Sequence, residues 1–473
     1  MFKFVLEKYS MNRMHRIAII FLQVFLLSAI PAAAFSQNPT AEKKLIEFGW
    51  DYPKVTQLIS GIRTMEQQPF DGVVFALDKG IFNAFDTVPL PDSFFQYKSL
   101  GKIEWKKFTD NFLYLRTAGN AGSNWQDDRA WSTICKNLVK LSKAISLSGA
   151  KGIGMDAEYY DAPEHSPWVY KAGRFGNLSY KQIGMYVRKR GKQFIQALQA
   201  NKPDVKILSF WLLGLAIAES KNIPLTDSRM ALFPFFVEGM LEGKNNSAEI
   251  IDGNETAYWY QKPEEFILAG EQLRADGIKL ISPELQAKYK AVSLAQSVYL
   301  DGLYAKFDFF EKGFDQRTKE QWLRDNLYHA YKTADKYIWF YNEKVDWWKG
   351  KVYEGVKEIL EDVRNNINKE QIQKKASLSI AGRSRTFNFK ESNPLQQQDF
   401  TYTYIKSDNS IQVKLLNKKI KKLSFFQNSR LIYTISDPRA AATIKLTNKY
   451  NKTGSLSIIA EDQNGKTYIS YVN

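Results

Sequence analysis

The chain has 473 residues, of which 44% are hydrophobic, and a formal net charge of +16. This length exceeds what one small core needs and favours one large domain with a smaller second domain. The lysines are scattered instead of forming one patch, so we expect no nucleic-acid partner, while an anionic glycan stays open. The single cysteine, Cys135, excludes an intramolecular disulfide.

The N-terminus has the pattern of an export signal. Arg13 and Arg16 precede an apolar run over residues 17–30, which suits a signal-peptide core better than a membrane span. Small residues at 31–34 then supply a cleavage site. The sequence predicts a signal peptide over residues 1–36 and a periplasmic or secreted protein without stable membrane insertion after cleavage. An uncleaved signal anchor is the alternative.

Short β-like runs alternate with amphipathic helical stretches from residue 45 to about residue 373, the pattern of parallel βα units. Strands are predicted at residues 45–50, 72–77, 112–116, 152–158, 206–213, 249–255, 300–305 and 337–343. The segment 231–244 fits a helix, but as a strand it would displace one of these. Eight strands with intervening helices predict an α/β fold, a (β/α)8 TIM barrel over residues 37–375 that forms the catalytic domain.

The C-terminal part has a different texture. Short runs rich in Ser, Thr, Ile, Tyr and Phe alternate with turn signals such as Asp408-Asn409 and Asn464-Gly465. These residues tolerate positive φ and suit hairpins. We therefore predict a small all-β, sandwich-like accessory domain over residues 376–473. The role of this domain is either packing against the barrel or glycan binding, and the sequence favours neither.

In a (β/α)8 barrel, functional groups project from the C-terminal ends of the strands. The fourth predicted strand ends in Asp156 and Glu158, which share one face if the strand continues, and Tyr159 and Tyr160 follow. Two close carboxyls do not ionise independently, so one can stay protonated near neutral pH, as a general acid requires. The alternative is a strand-end Asp that caps a helix or pairs with a lysine.

The sixth predicted strand also ends in acids. Asp252, Asn254 and Glu255 come first, and Tyr258 and Trp259 follow directly. The polar side chains are suited to sugar hydroxyls, and the aromatic rings are suited to the face of a pyranose. A glycine-containing turn with an aromatic core behind it is the alternative interpretation.

The eighth predicted strand ends in Glu343, and the large rings of Trp347 and Trp348 follow. Substrate contact and core packing are both open for the two tryptophans. Single residues at other strand ends complete the predicted substrate-binding set, namely Trp50, Asp51, Asp78, Arg116 and Trp211. Asp301, on the seventh predicted strand, is a further candidate.

The sequence lacks the residues that several cofactor-dependent reactions require. Beyond the predicted signal peptide only His165 and His329 remain, which excludes a histidine-rich zinc site. Neither histidine stands near a nucleophile-elbow motif, and the glycines lack phosphate-loop or dinucleotide spacing. We therefore expect no metal and no organic cofactor, and carboxylate chemistry remains.

The run Gly-Ile-Gly-Met-Asp-Ala-Glu that ends at Glu158 resembles the end of the fourth-strand signature of family-18 chitinases and related endo-N-acetylglucosaminidases. This resemblance implies that Glu158 is the general acid and that Asp156 orients the acetamido group of the substrate. Gly154 stands where that family has a further acid. Four further blocks look like a group of exported bacterial barrel proteins classed as glycoside hydrolases, which implies a carbohydrate role. They are residues 48–51, 70–75, 252–255 and 339–343 with 347–348.

The leading hypothesis is a glycoside hydrolase that acts on an extracellular or periplasmic oligo- or polysaccharide. Glu158 would be the general acid/base, Asp156 its electrostatic partner, and Glu343 or Glu255 the nucleophile or second base. One alternative is a glycan-binding protein without catalytic activity. Another is a polysaccharide lyase, or an enzyme with a carboxylate-bound metal, acting on an acidic glycan.

Overall fold

A computed structural model describes most of the chain. The described residues are 43–119, 124–160, 165–260, 262–304, 316–367, 400–405, 410–415, 420–438, 441–445 and 455–472. The predicted signal peptide and the predicted domain boundary near residue 375 lie outside these ranges. Among the helices in the described ranges, none combines the length and apolar character that a membrane crossing needs.

Parallel strands form the main sheet. They are β1 Lys44–Gly49, β2 Gly72–Phe75, β3 Phe82–Asn83, β4 Phe112–Arg116, β5 Gly152–Asp156, β6 Lys206–Ser209, β7 Glu249–Asp252, β8 Ser293–Leu294, β9 Gln296–Tyr299 and β10 Tyr337–Asn342. Their order is β8-β7-β6-β5-β4-β2-β1-β10-β9, with β3 beside β4. Only Ala295 separates β8, which pairs with β7, from β9, which pairs with β10. This interrupted strand joins the two ends of the sheet, so eight strand positions form the predicted (β/α)8 barrel.

One predicted strand was wrong. The seventh barrel position is occupied by β8 and β9, at 293–299, whereas the predicted segment 300–305 begins with a helix at Asp301–Tyr304. Both segments are short and partly apolar, and hydrophobic periodicity does not separate a strand from a buried helical turn at this length. The segment 231–244 is a helix, Phe233–Gly243.

Helices follow the strands around the barrel. They are α1 Val55–Met65, α2 Tyr97–Leu100, α3 Asp128–Ser148, α4 Tyr180–Gln199, α5 Gly214–Ser220, α6 Phe233–Gly243, α7 Pro263–Gly277, α8 Gln286–Lys290, α9 Asp301–Tyr304, α10 Gln316–Thr333 and α11 Val356–Asn366. Asp127 begins α3 by accepting hydrogen bonds from Arg129 N and Ala130 N, and Gly149 ends it at φ 71°. Ser179 caps α4 in a similar way. Such caps satisfy backbone groups that a helix end leaves unpaired.

Side chains fill the barrel interior. Phe48 stacks on Phe210 with ring centroids 4.3 Å apart, and Phe210 stacks on Trp339 at 4.7 Å. Gly154 leaves the room for this packing, because a Cβ there would lie 3.1 Å from Phe210 and Val74. Since the interior is solid, ligands are limited to the barrel ends, and the C-terminal ends of the strands carry function in such barrels. We call this end the mouth.

The C-terminal part is all-β, as predicted. Its strands are β11 Phe400–Ile405, β12 Ser410–Leu415, β13 Ile420–Gln427, β14 Arg430–Ser436, β15 Ala441–Lys445, β16 Leu456–Asp462 and β17 Thr467–Val472. They form two antiparallel sheets, β11-β12-β15 and β14-β13-β16-β17. Val413 of the first sheet packs with Leu423 and Phe425 of the second. The predicted turn at Gly465 joins β16 to β17 at φ 78°, whereas the predicted turn at 408–409 lies outside the described residues.

Candidate active site

Asp156 ends β5 and is almost fully buried. Its Oδ2 accepts hydrogen bonds from the hydroxyls of Tyr114 and Tyr160, each at 3.0 Å, and its Oδ1 accepts one from Glu158 N at 3.0 Å. Burial raises the pKa of Asp156 to about 6, although these donors favour the ionised form. Three donors of the protein thus hold the Asp156 carboxyl, which suits a residue that positions its neighbours.

Arg116 ends β4 beside Asp156, its partner in the register of the sheet. Its Nε donates to Tyr114 Oη at 3.3 Å and lies 3.8 Å from Asp156 Oδ2. The guanidinium also lies 5.0 Å from the ring centroid of Tyr160, a cation–π distance. A positive charge therefore stands beside the buried carboxylate, and the Tyr160 ring is held between Arg116 and the mouth.

Glu158 lies beyond the strand and not within it. β5 ends at Asp156, and the bond from Glu158 N to Asp156 Oδ1 folds the chain into a turn, so the two carboxyls do not share a strand face as predicted. The Glu158 side chain is 29% exposed, and its Oε1 lies 3.9 Å from Arg229 Nη1. Arg229 is held at the same time by Glu219, at 2.5 Å. Glu158 therefore has solvent access that Asp156 lacks.

Glu255 opens a turn of 3-10 helix, Glu255–Trp259, directly after β7. Asn254, at φ 48°, bends the chain into this turn. Burial, followed by the negative charges of Asp156 and Glu158, raises the pKa of Glu255 well above its usual range. The ends of β5 and β7 thus bring three predicted carboxyls into electrostatic contact, and Glu255 is the one whose pKa burial and like charge raise well above its usual range.

Glu343 follows β10 at the other side of the mouth. Its Oε1 accepts a hydrogen bond from Tyr341 Oη at 3.1 Å, and its backbone N donates to Asp301. Tyr353 Oη donates to the second oxygen of Asp301 at 2.8 Å. Burial and the charge of Asp301 raise the pKa of Glu343. Asp301, expected on a strand, is in fact the anchor of the loop that carries Glu343.

Tyrosine rings connect the two groups of carboxyls. Tyr258 stacks on Tyr341 with centroids 5.5 Å apart and an interplanar angle of 14°, and it lies 4.9 Å from Tyr299. Tyr341 feels the charges of both Glu343 and Glu255, which, after burial, raise its pKa. The four predicted catalytic residues therefore belong to one continuous site.

The predicted substrate-binding residues divide into two sets. Those with exposed or partly exposed side chains at the mouth are Trp50, Arg116, Tyr160 and Trp259, whereas Tyr258 is buried among the tyrosine rings. Tyr159 and Trp211 are half-buried, and the buried indole N–H of Trp211 has no hydrogen-bond acceptor among the described residues. An acceptor on a ligand would satisfy that N–H.

The second set serves the fold. Asp78 caps α1 by accepting from Thr56 N at 3.0 Å, and Trp347 is buried in the core against Phe70 at 4.8 Å. Asp252 accepts from Asn254 N at 2.9 Å, and both are buried. The polar atoms of Asp78, Asp252 and Asn254 and the ring of Trp347 are thus engaged within the protein, and Asp78 is the one of the four that is not buried.

Asp51 also turns away from the mouth. Its Oδ2 accepts from Trp347 N at 2.8 Å, and its backbone oxygen accepts from Trp348 Nε1 at 2.7 Å. Its carboxyl group also contacts that of Glu47, a residue of β1 that is completely buried. Asp51 therefore holds the loop after β10 against the loop after β1.

Sequence reasoning missed several residues of this site, namely Tyr114, Arg229, Tyr299 and Tyr341, and it also missed Glu47, which is buried within β1 and contacts Asp51. Tyr114 could have been found, because it lies two residues before Arg116 and therefore on the same strand face. Tyr299 could not, since it ends β9, the strand that was misplaced. In the described parts of the chain, no three His, Cys, Asp or Glu side chains are arranged to hold a metal ion.

Comparison with known proteins identifies no family. No protein-family model matches the chain, and no curated protein matches its sequence. The chain is similar to an endo-β-1,4-mannanase double mutant from Cellulomonas fimi at 10% identity and a TM-score of 0.33, over 91% of this chain and 94% of the mannanase. It is also similar to a broad-specificity endoglucanase from an uncultured bacterium, at 8% identity and a TM-score of 0.38, over 66% of this chain and 84% of the endoglucanase.

A β-N-acetylhexosaminidase from Beutenbergia cavernae gives 9% identity and a TM-score of 0.34, over 71% of this chain and 93% of its own. At such scores these likenesses carry no argument about the function of this chain. The resemblance of residues 152–158 to family-18 chitinases stays a prediction that rests on those residues alone.

Proposed function

We propose that this protein is a glycoside hydrolase in which Glu255 and Glu158 are the catalytic carboxyls. The observation that carries the proposal is the placement of three carboxyls, those of Glu255, Asp156 and Glu158, at the mouth of the barrel, close enough for the charges of Asp156 and Glu158 to add to the raised pKa of Glu255. A glycosidase needs one carboxyl that gives a proton to the leaving oxygen and another that acts as a nucleophile or activates water. Burial and like charge are the two effects that keep an acid protonated at neutral pH.

The roles differ from those expected from the sequence, in which Glu158 was the acid. Glu255 is better suited to donate the proton, because its pKa is raised by burial and by its neighbours. Glu158 is more exposed and lies near Arg229, so it is suited to act as the nucleophile or the base. Asp156 and its tyrosine donors hold the turn that carries Glu158. Glu343 and the Trp50 side of the mouth bind the sugar.

The predicted signal peptide supports a substrate outside the cytoplasm, an oligo- or polysaccharide of the periplasm or the exterior. Retention of anomeric configuration requires carboxyls about 5–5.5 Å apart, and inversion requires about 6.5–9.5 Å. The anomer of the first product therefore reports which role Glu158 has.

The test compares wild type with Glu255→Gln and Glu158→Gln on natural oligosaccharides and on dinitrophenyl oligosaccharides. Each variant should lose about 10²–10⁴-fold in kcat on natural substrates. Glu255→Gln should keep most of its kcat/KM on the dinitrophenyl substrates, because kcat/KM reports the first bond cleavage and that leaving group needs no proton, whereas Glu158→Gln should lose activity on both. Released reducing ends and the product anomer are measured.

Glu361→Gln is the matched control, since Glu361 is exposed on α11 and pairs only loosely with Lys357, at 4.0 Å. It should behave as wild type. Unchanged turnover in both Glu255→Gln and Glu158→Gln would reject the proposal. Saturable binding without cleavage in wild type would support a glycan-binding protein instead, and unsaturated products would support a lyase.

A further inference from the structure

The tryptophans of this chain are distributed unevenly between core and surface. All 11 lie in the described residues, and only Trp50 and Trp259 among them are exposed, at 64% and 39%. Both lie at the mouth, one after β1 and the other after β7. Exposed indoles are costly for a soluble surface, and their concentration at a ligand site indicates binding.

Trp50 is exposed and yet held in one orientation. Its Nε1 donates to Tyr341 Oη at 3.0 Å, and the ammonium of Lys344 lies 5.4 Å from its ring centroid. The N–H is thus satisfied within the protein, and most of the ring remains open to solvent. A fixed, flat apolar surface of this kind is suited to the C–H face of a pyranose, because it loses little conformational freedom on binding.

A row of aromatic rings leads from Trp50 across the mouth. Trp50 contacts Tyr341, the Tyr341 ring lies 5.3 Å from Tyr299, and Tyr299 lies 6.5 Å from Trp259. We call these four residues the aromatic row. Glu343 accepts its hydrogen bond from Tyr341 in the middle of the row. The row is several rings long, which is more than one sugar unit covers.

We propose that Trp50 is the platform of a distal sugar subsite, and that the substrate is a chain of several consecutive pyranose units lying along the aromatic row. This proposal rests on the proposed function for the position of the scissile bond. Its own claim concerns the binding of the sugar chain. A single terminal sugar would reach the carboxyls without touching Trp50. A longer chain gains the Trp50 contact, so affinity should rise with chain length up to the unit that covers the indole.

The test measures binding by calorimetry in the Glu255→Gln background, in which turnover is blocked. The probes are cello-, manno- and chito-oligosaccharides from disaccharide to hexasaccharide. In the series that binds, Trp50→Ala should weaken the longest chains about tenfold and leave the shortest unchanged. Trp50→Phe should retain most of the affinity for long chains, since it keeps a flat ring.

Tyr433→Ala is the matched control, because Tyr433 is 50% exposed on β14 of the C-terminal sheet. It should leave binding unchanged at every length. Equal weakening of all lengths by Trp50→Ala, no weakening at all, or no binding in any of the three series would overturn the proposal. Length-dependent binding in a protein that cleaves none of these chains would support the subsite and reject the hydrolase, so the two failures are distinguishable.

Discussion

At the scale of single residues, the least expected feature is a pair of buried carboxyls behind β1. Glu47 is fully buried, and no donor among the described residues reaches its Oε2 or Oδ1 of Asp51. These two carboxyls contact each other, which is stable only if one proton lies between them. Asn342 Nδ2 donates to the other oxygen of Glu47 at 3.0 Å, and Asp346 adds negative charge nearby.

This pair predicts a pH-dependent stability. Burial and the neighbouring carboxyl raise the pKa of Glu47 well above its usual range, and burial raises that of Asp51 to about 6. The folded protein therefore holds protons that the unfolded chain releases, so the pair stabilises the fold at low pH and loses this effect as pH rises. In Glu47→Gln an amide N–H replaces the proton permanently. The denaturation midpoint of this variant should fall less steeply than that of wild type between about pH 5 and pH 8.

Urea unfolding at several pH values measures the slope. Glu361→Gln, which removes an exposed carboxyl, should keep the slope of wild type. A Glu47→Gln variant with an unchanged slope would show that the two carboxyls do not share a proton.

At the scale of elements, the same hydrogen-bonded turn follows two strands. Asp156 Oδ1 accepts from the N–H two residues later, and Asp252 Oδ1 does the same with Asn254 N, at 3.0 and 2.9 Å. Such turns stop a strand and redirect the chain. Glu158 and Glu255 follow directly, so the strand-end Asp residues aim the glutamates at the mouth. The geometry thus favours a supporting role for Asp156, which was predicted to be catalytic, and for Asp252, which was predicted to bind substrate.

Substitutions of Asp252 test whether this turn supports the glutamate that follows it. Asp252→Ala removes the acceptor and leaves a buried N–H unpaired, which should lower the free energy of unfolding by about 1–3 kcal/mol. It should also reduce turnover, because Glu255 loses its support. Asp252→Asn keeps an oxygen acceptor and should lie close to wild type in both respects. Urea unfolding and kcat are measured. If Asp252→Asn were as damaged as Asp252→Ala, the charge of Asp252 near Arg274 would matter more than its turn.

Much of the barrel followed from sequence pattern, because apolar runs of strand length alternate with amphipathic helices. The site followed in part, since strand ends are known to carry function in this fold. The direction of each side chain did not follow. Trp347 and Asp51 lie at a strand end as expected, yet both turn into the protein. Tyr299 was missed because its strand was misplaced, and Glu47 because an acid within an apolar strand has no local pattern that identifies its partner.

At the scale of the whole molecule, the four-stranded C-terminal sheet packs against the barrel, and its turn between β13 and β14 contacts the end of the barrel opposite the mouth. Arg430 Nη2 donates to Val292 O and Asp335 Oδ2, each at 3.3 Å, and these residues precede β8 and β10. Lys43, which precedes β1, donates to Asn428 at 3.2 Å. The N-terminal ends of barrel strands contribute stability and not catalysis. These contacts favour the packing role for the C-terminal part over a role in holding substrate at the mouth.

The seam between α7 and this sheet gives the last prediction. A methyl group at Gly270 would collide with the Ser429 backbone carbonyl, which cannot move freely because Ser429 Oγ donates to Phe266 O at 2.7 Å. Gly270→Ala should therefore separate the seam and lower the free energy of unfolding by about 1–3 kcal/mol. Turnover of the folded enzyme should stay unchanged, because the atoms that a Cβ at Gly270 would meet belong to Ser429 and Arg274 and not to a residue of the mouth. Gly61→Ala in α1 is the matched control.

A Cβ at Gly61 meets Met65 at an ordinary 3.6 Å, so alanine there should stabilise the helix by about 0.5–1 kcal/mol. Urea unfolding of both variants separates helix propensity, which favours alanine at both positions, from the collision, which exists at only one. Equal stability of the two variants would mean that the sheet is loosely attached. If Gly270→Ala were fully folded but lost turnover, the seam and the mouth would be coupled. The packed side chains inside the barrel would then have to carry that coupling.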